Sequence, residues 1–250
     1  MTSLPPSSCC YQGFRHEGTS VGRIESFDEF DAYISEPKES TKKAILFLPD
    51  VVGHTFINAQ LIADQFAENG YFVLIPDLFH GDSVPLNEPE GFDIMAWLRG
   101  DYNGNKYEHT PALIDPIVEK SISILRSKYG IERIGSVGYC FGSKYTVRFL
   151  DDTKINVGFI AHPSFIQKEE LEAIKAPLSI AAAETDFLFP PDKRKESEEI
   201  LGKIDIPSQI NFYLGTSHGF AVRCDLSVRR QKLAKEVAFA QAVTWFNTHL

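Results

Sequence analysis

From about residue 44 to the C-terminus, short apolar runs alternate with stretches whose apolar positions recur at helical spacing. Residues 44–48, 71–75, 131–137, 157–160, 178–182 and 209–214 read as strands, most of them apolar at nearly every position, as in strands covered on both faces. Residues 57–69, 113–129, 142–150, 168–174, 192–202 and 226–249 read as amphipathic helices. Asn69-Gly70 and Tyr129-Gly130 close two of them, because glycine enters the left-handed conformation that ends a helix. This alternation predicts an α/β fold with a mostly parallel central sheet and helices on both faces. Residues 22–35 have room for one or two antiparallel edge strands.

Residues 81–110 break the rhythm. They carry Pro85, Pro89, Gly91, Gly100 and Gly104, with helical spacing only over 94–98. An irregular segment of that length inside a compact domain is usually a functional cover, and it is expected here to lie over a site. Nothing in the rest of the chain divides it, so 1–250 reads as one domain. At 250 residues and 43% hydrophobic, the chain can bury a core without disulfides or metals. A net charge of −9 disfavours nucleic-acid and anionic-membrane partners, whose affinity comes from clustered Lys and Arg. No apolar run approaches the roughly 20 residues of a membrane span, and neither terminus carries a common targeting signal, so the expected address is cytoplasmic. The 4 cysteines, Cys9, Cys10, Cys140 and Cys224, form no C-x-x-C pair, which argues against a disulfide scaffold or a zinc motif.

The sharpest chemical signal is Gly138-Tyr139-Cys140-Phe141-Gly142, a G-x-C-x-G placed after a predicted strand and at the start of a predicted helix. That is the context of a nucleophile elbow, a sharp strand-to-helix turn whose glycines remove colliding side chains. Cys140 would be the nucleophile, its thiolate favoured by the helix N-terminus. The glycines reproduce neither G-x-G-x-x-G nor a phosphate-binding loop, so no nucleotide site is expected. A base and then an acid to hold it are required, with the acid between nucleophile and histidine in chain order. His218, just after the last predicted strand, meets that order. His16, His54, His80 and His109 precede the cysteine, His162 comes too early and His249 ends a helix. Asp186, with Glu184 second, follows the strand between Cys140 and His218, and its task is to hold the imidazole tautomer. Backbone N–H groups of Phe141 and of Val51, in the loop after the first core strand, would bind the oxyanion. Asp50 in the same loop is expected to approach Cys140 and tune its thiol.

Together with Cys9-Cys10, His16-Glu17-Gly18-Thr19, Pro76-Asp77, Ala161-His162-Pro163-Ser164-Phe165 and His218-Gly219-Phe220-Ala221 with Arg223, this pattern resembles the dienelactone hydrolase family of α/β-hydrolases, in its fungal-type subgroup. The resemblance covers nearly the whole chain. It implies the α/β-hydrolase fold, a Cys140–Asp186–His218 triad, no metal or organic cofactor, and hydrolysis through an acyl-cysteine. Two departures stand out. Asp50 occupies the position of a Glu in the bacterial members, and Leu78-Phe79-His80-Gly81-Asp82 lacks their additional Arg, while Arg223 is shifted by one residue. Arg223 is nevertheless expected to grip acidic substrates. His162 is expected at the site as a substrate-binding or thiol-tuning group, and Trp97, with Phe92, Tyr102 and Tyr107, as part of the cover that sets substrate size.

The leading expectation is a cysteine-dependent hydrolase of a small ester or lactone, acting as a monomer or homodimer. An acyl-thioester hydrolase releasing a polyketide or acyl product shares the chemistry and differs in the pocket. A non-catalytic ligand-binding protein on a hydrolase scaffold is the alternative from another class, since fold does not fix function.

Overall fold

The computed structural model describes residues 1–88, 91–102 and 107–250. Each apolar run of the sequence becomes a strand, and all but the last, which lies at the sheet's edge and is largely exposed, are buried on both faces. The eight strands are β1 (Arg23–Ser26), β2 (Asp31–Ser35), β3 (Lys43–Leu48), β4 (Phe72–Pro76), β5 (Arg133–Tyr139), β6 (Val157–Ala161), β7 (Leu178–Thr185) and β8 (Ser208–Ser217). They form one sheet in the order β1-β2-β4-β3-β5-β6-β7-β8. β1 and β2 pair antiparallel, as does β2 with β4, and all later pairings are parallel. The segment expected to supply one or two edge strands thus supplies both, though only β1 lies at the edge. β5 starts two residues later than expected, since Glu132 and Arg133 donate to the carbonyl of Lys42 before the ladder begins.

The helices are α1 (Ile57–Glu68), α2 (Ile94–Leu98), α3 (Pro111–Ser127), α4 (Phe141–Arg148), α5 (Lys168–Glu172), α6 (Pro191–Leu201), α7 (Phe220–Arg223) and α8 (Arg229–His249). α1 and α8 meet through Phe66, Phe239 and Phe246. α3 and α4 are joined at Arg148–Asp115. Within the cover, α2 is capped by the Asp93 carboxylate, which accepts from the N–H groups of Met95 and Ala96. Of the breakers that marked this segment, Pro89 and Gly104 lie outside the described residues. Two short elements carried no sequence signal: α7, and a 3-10 turn over Ser8–Cys10 in the N-terminal segment.

The sheet places its chemistry where β5 stops. At the end of that central strand Cys140 takes φ 50° and ψ −110°, a conformation L-residues avoid, and α4 starts at the next residue. Gly142 makes the turn possible: a Cβ there would lie 2.0 Å from the carbonyl oxygen of Leu48 and 2.8 Å from that of Pro49. Both obstacles are backbone, so no rotamer change relieves them. Gly142→Ala should therefore yield little folded protein. Gly70→Ala, at φ +91° with nothing near the added carbon, should cost only the left-handed strain of about 1–2 kcal/mol. Soluble yield and thermal melting of the two variants check this, and similar losses for both would contradict it.

Candidate active site

Three loops at the C-terminal ends of the parallel strands converge on Cys140. The loop after β8 brings His218, whose Nε2 lies 3.2 Å from the Cys140 sulfur. The loop after β7 brings Asp186, with both carboxylate oxygens 3.0 Å from His218 Nδ1. Asp186 is itself held, since its Oδ1 accepts from the N–H groups of Leu188 and Phe189. An ionised carboxylate can only accept, so Nδ1 carries the proton and the Nε2 lone pair faces the sulfur. Glu184, the second candidate acid, instead accepts from the Gly215 N–H at 2.6 Å.

Burial disfavours the charged imidazole of His218, but the charge and hydrogen bond of Asp186 outweigh it and hold the group well above its ordinary 6.5. His218 is thereby made a ready acceptor for the Cys140 proton. Beside Cys140, the Ser164 hydroxyl stands 3.7 Å from the sulfur and the Ser164 N–H donates to the Cys140 carbonyl. Ser164 had no place among the expected site residues; its marks in the sequence are its position just past β6 and its membership of the Ala161-His162-Pro163-Ser164-Phe165 block. Among the described residues, neither the Val51 N–H nor the Phe141 N–H donates to a protein acceptor. Both are thus free for an oxyanion.

Other expected residues are placed differently. Asp50 does not spend its carboxylate on the sulfur: Oδ1 accepts from the Val52 N–H at 3.0 Å and Oδ2 pairs with Arg223 Nη1. Arg223 is buried with no exposed side chain, and its remaining hydrogen bonds go to the carbonyls of Gln12, from Nε, and Cys9, from Nη2. It clamps the N-terminal segment and borders the cavity at His218 as a charge already paired with Asp50. Trp97 is likewise buried, stacked among Phe79 and His109, with its indole N–H donating to the Asp82 carbonyl at 2.8 Å. It fastens the cover to the elbow side of the sheet and borders no cavity at His218. His162 is fully buried with its ring 5.1 Å from that of His218, and among the described residues neither of its nitrogens has a protein hydrogen-bond partner. Burial, reinforced by His218, pushes it well below the ordinary value, so it stays neutral.

The cavity that reaches the site, about 450 Å³, is bordered by His218, Cys9, Phe14, Phe187 and Phe220. Cys140 itself is completely buried. Residues 1–17 pass over it as a strap. The strap is anchored at one end by Thr2 and Ser3 on the Ile166 carbonyl and at the other by Asn58, which accepts from the His16 N–H and donates to the Phe14 carbonyl. Cys9, Cys10 and His218 are the one group of metal-type donors among the described residues, with their ligand atoms within 4.8 Å of one another. A metal there would claim the nitrogen that faces Cys140, so the trio does not fit a cofactor of the hydrolytic reaction.

Residues 30–250 match the model of the dienelactone hydrolase family. The chain belongs to that family. It is 53% identical to hydrolase tropI of Talaromyces stipitatus, with 100% of this chain and 99% of the relative aligned. It is 51% identical to hydrolase pyvD of Aspergillus violaceofuscus over the same shares. The crystal structure of dienelactone hydrolase from Anabaena variabilis superposes with a TM-score of 0.66 at 12% identity, covering 94% of this chain and 100% of that one. The fold is accordingly the α/β-hydrolase fold, and the protein is a hydrolase acting on ester bonds. Among the described residues no helix is long and apolar enough to cross a membrane.

Two outcomes follow from the buried charges. Removing Asp186 removes what favours the imidazolium. In Asp186→Asn the rise of kcat/KM with pH should therefore move towards acid, while turnover drops by roughly 10³–10⁴ as the tautomer is lost. A folded-state pKa above the unfolded 6.5 contributes stability that is complete below that value and lost as pH climbs through the raised one. The melting temperature of Asp186→Asn should thus trail the parent more at about pH 6 than at about pH 10. Arg223→Met strands the Asp50 charge in the interior and should cost about 3–5 kcal/mol in urea unfolding, with part of the loss recovered by adding Asp50→Asn.

Proposed function

We propose that this protein hydrolyses a neutral ester, lactone or thioester through an acyl-cysteine on Cys140. The observation that carries the reading is the continuous chain of contacts from the Cys140 sulfur through both nitrogens of His218 to Asp186. In this scheme Nε2 takes the thiol proton as the sulfur adds to the carbonyl carbon. The oxyanion that forms is received by the N–H groups of Val51 and Phe141. As the intermediate collapses, the imidazolium returns the proton to the departing alkoxide or thiolate. A water activated by the same nitrogen then cleaves the acyl-cysteine. Asp186 stabilises the imidazolium in both halves.

The neutral character of the substrate rests on Arg223. Although it borders the cavity, its charge is balanced by Asp50 and its Nε and Nη2 are engaged by Gln12 and Cys9, which weakens its grip on a substrate carboxylate. The aromatic rim of Phe14, Phe187 and Phe220 favours an apolar acyl or aryl group instead. Phe14 and Phe187 are 53% and 73% exposed, a sizeable apolar surface at the mouth, and this supports the second reading, an acyl-thioester hydrolase whose long acyl chain or carrier lies against them.

A panel of a neutral aryl ester, a neutral lactone, an anionic dienelactone and an acyl thioester tests the proposal. Turnover should be lowest for the anion and absent in Cys140→Ala. Rapid acid quench should trap the acyl group on the tryptic peptide 134–144. Undiminished hydrolysis by Cys140→Ala, or acyl label on another residue, would overturn it.

A further inference from the structure

Cys10 belongs to no step of hydrolysis, yet its sulfur lies 3.8 Å from the same His218 Nε2 that faces Cys140 at 3.2 Å. The two thiols therefore flank one imidazole nitrogen, and Cys10 is as fully buried as the nucleophile. Its position is fixed on both sides, because Arg223 holds the carbonyls of Cys9 and Gln12. The 3-10 turn Ser8–Cys10 directs the side chain inward. A small apolar residue would fill this space equally well; a thiol adds chemistry that packing does not need. Neither sulfur is in a disulfide, and the cavity at His218 is wide enough to admit a small oxidant.

We infer that Cys10 is a resolving cysteine, which forms a disulfide with Cys140 when a hydroperoxide oxidises the nucleophile. This rests on the reading of Cys140 as the site's reactive thiolate. In the first step the Cys140 thiolate attacks the terminal oxygen of the hydroperoxide. The O–O bond breaks, the alkoxide or hydroxide leaves and takes a proton, and Cys140 becomes a sulfenic acid. In the second, the Cys10 sulfur attacks the sulfenic sulfur. The S–O bond breaks, and hydroxide leaves as water with the proton that Cys10 gives up through His218 Nε2. Two thiols lose two hydrogens and two electrons, and one hydroperoxide is reduced to an alcohol, or to water, plus water. Burial first, and the neighbouring Cys140 next, raise the Cys10 thiol above its ordinary value. It therefore rests as S–H and needs the imidazole to deprotonate it. The disulfide occupies the nucleophile, pins the strap over the site, and protects Cys140 from irreversible oxidation to the sulfinic acid.

The full chain, reduced and kept in a chelator so that no metal engages Cys9, Cys10 and His218, is treated with hydrogen peroxide, blocked with N-ethylmaleimide and digested without reductant. The expected product joins tryptic peptides 1–15 and 134–144, with fragmentation placing the bond at Cys10. Esterase activity, normalised to each protein's own starting rate, should vanish and return with dithiothreitol. In Cys10→Ser and Cys10→Ala, each confirmed folded by its melting curve, the loss should become irreversible, with Cys140 carrying two added oxygens. Cys9→Ser should behave as the parent. Parent protein whose Cys140 passes straight to sulfinic acid, a bond to Cys9, or full dithiothreitol recovery in both Cys10 variants would overturn the inference. The cross-linked peptide is read without any activity, so a failure of the hydrolase reading, seen as turnover by Cys140→Ala, is distinguishable from a failure of this one.

Discussion

The site depends on a backbone conformation that the chain adopts nowhere by preference, the φ 50° of Cys140 at the end of the central strand. Holding an L-residue there costs of order 1–3 kcal/mol, and it persists only because its surroundings leave no alternative. On one side the Cys140 N–H donates to Ala161 in the β6 ladder, and on the other its carbonyl accepts from Ser143 and Ser164. Below it, Gly142 lets the first turn of α4 press against the Leu48 and Pro49 carbonyls. That close approach sets the distance between Cys140 and the loop carrying Val51. The parallel register β3-β5-β6-β7-β8 then brings the loops bearing Asp186 and His218 to the same end of the sheet.

A second constraint is the buried charge of Arg223. Burial pushes the guanidinium down to about 10, which still leaves it positive at neutral pH. An interior cation must be paired and its donors satisfied, or the fold would lose several kcal/mol. Asp50 supplies the charge, and the carbonyls of Gln12 and Cys9 accept from Nε and Nη2. These partners come from the loop after β3 and from the N-terminal strap, while Arg223 itself follows His218 by one short helix. One ion pair thereby ties together the loop carrying Val51, the segment following His218, and the turn carrying Cys10.

This explains what could and could not be read from the sequence. Strands and long helices were legible because their periodicity is local, and the meeting of Cys140, His218 and Asp186 was legible because the elbow and the order of the three residues are tied to chain connectivity. Arg223 was misjudged because its partners lie 173 and 211 residues away, at Asp50 and Gln12, and no periodicity connects them. Trp97 looked like a pocket residue for a similar reason: an aromatic in an irregular segment gives no hint of which side it will bury. The strap left only Cys9-Cys10 and His16-Glu17 as marks, neither of which shows a path, and α7 is too short to show a period. The cover's irregular composition identified it as a distinct segment, but its Phe92 packs edge-on against Tyr11 of the strap, so cover and strap form one surface.

His162 shows how far the low-dielectric surroundings reach. Among the described residues its two buried ring nitrogens have no protein partner. It lies between the rings of Tyr139 and Phe220 and against His218. Held neutral, it adds no positive charge to compete with the imidazolium next door, and it keeps water from the back of that ring. The proton affinity of His218 is then left to Asp186 on one side and to the thiols on the other. A polar residue here would admit water and weaken the Asp186 interaction through a higher local dielectric. The acid–base balance of the site is thus set mainly by the Asp186 carboxylate at 3.0 Å, with the Cys10 thiol adding to it.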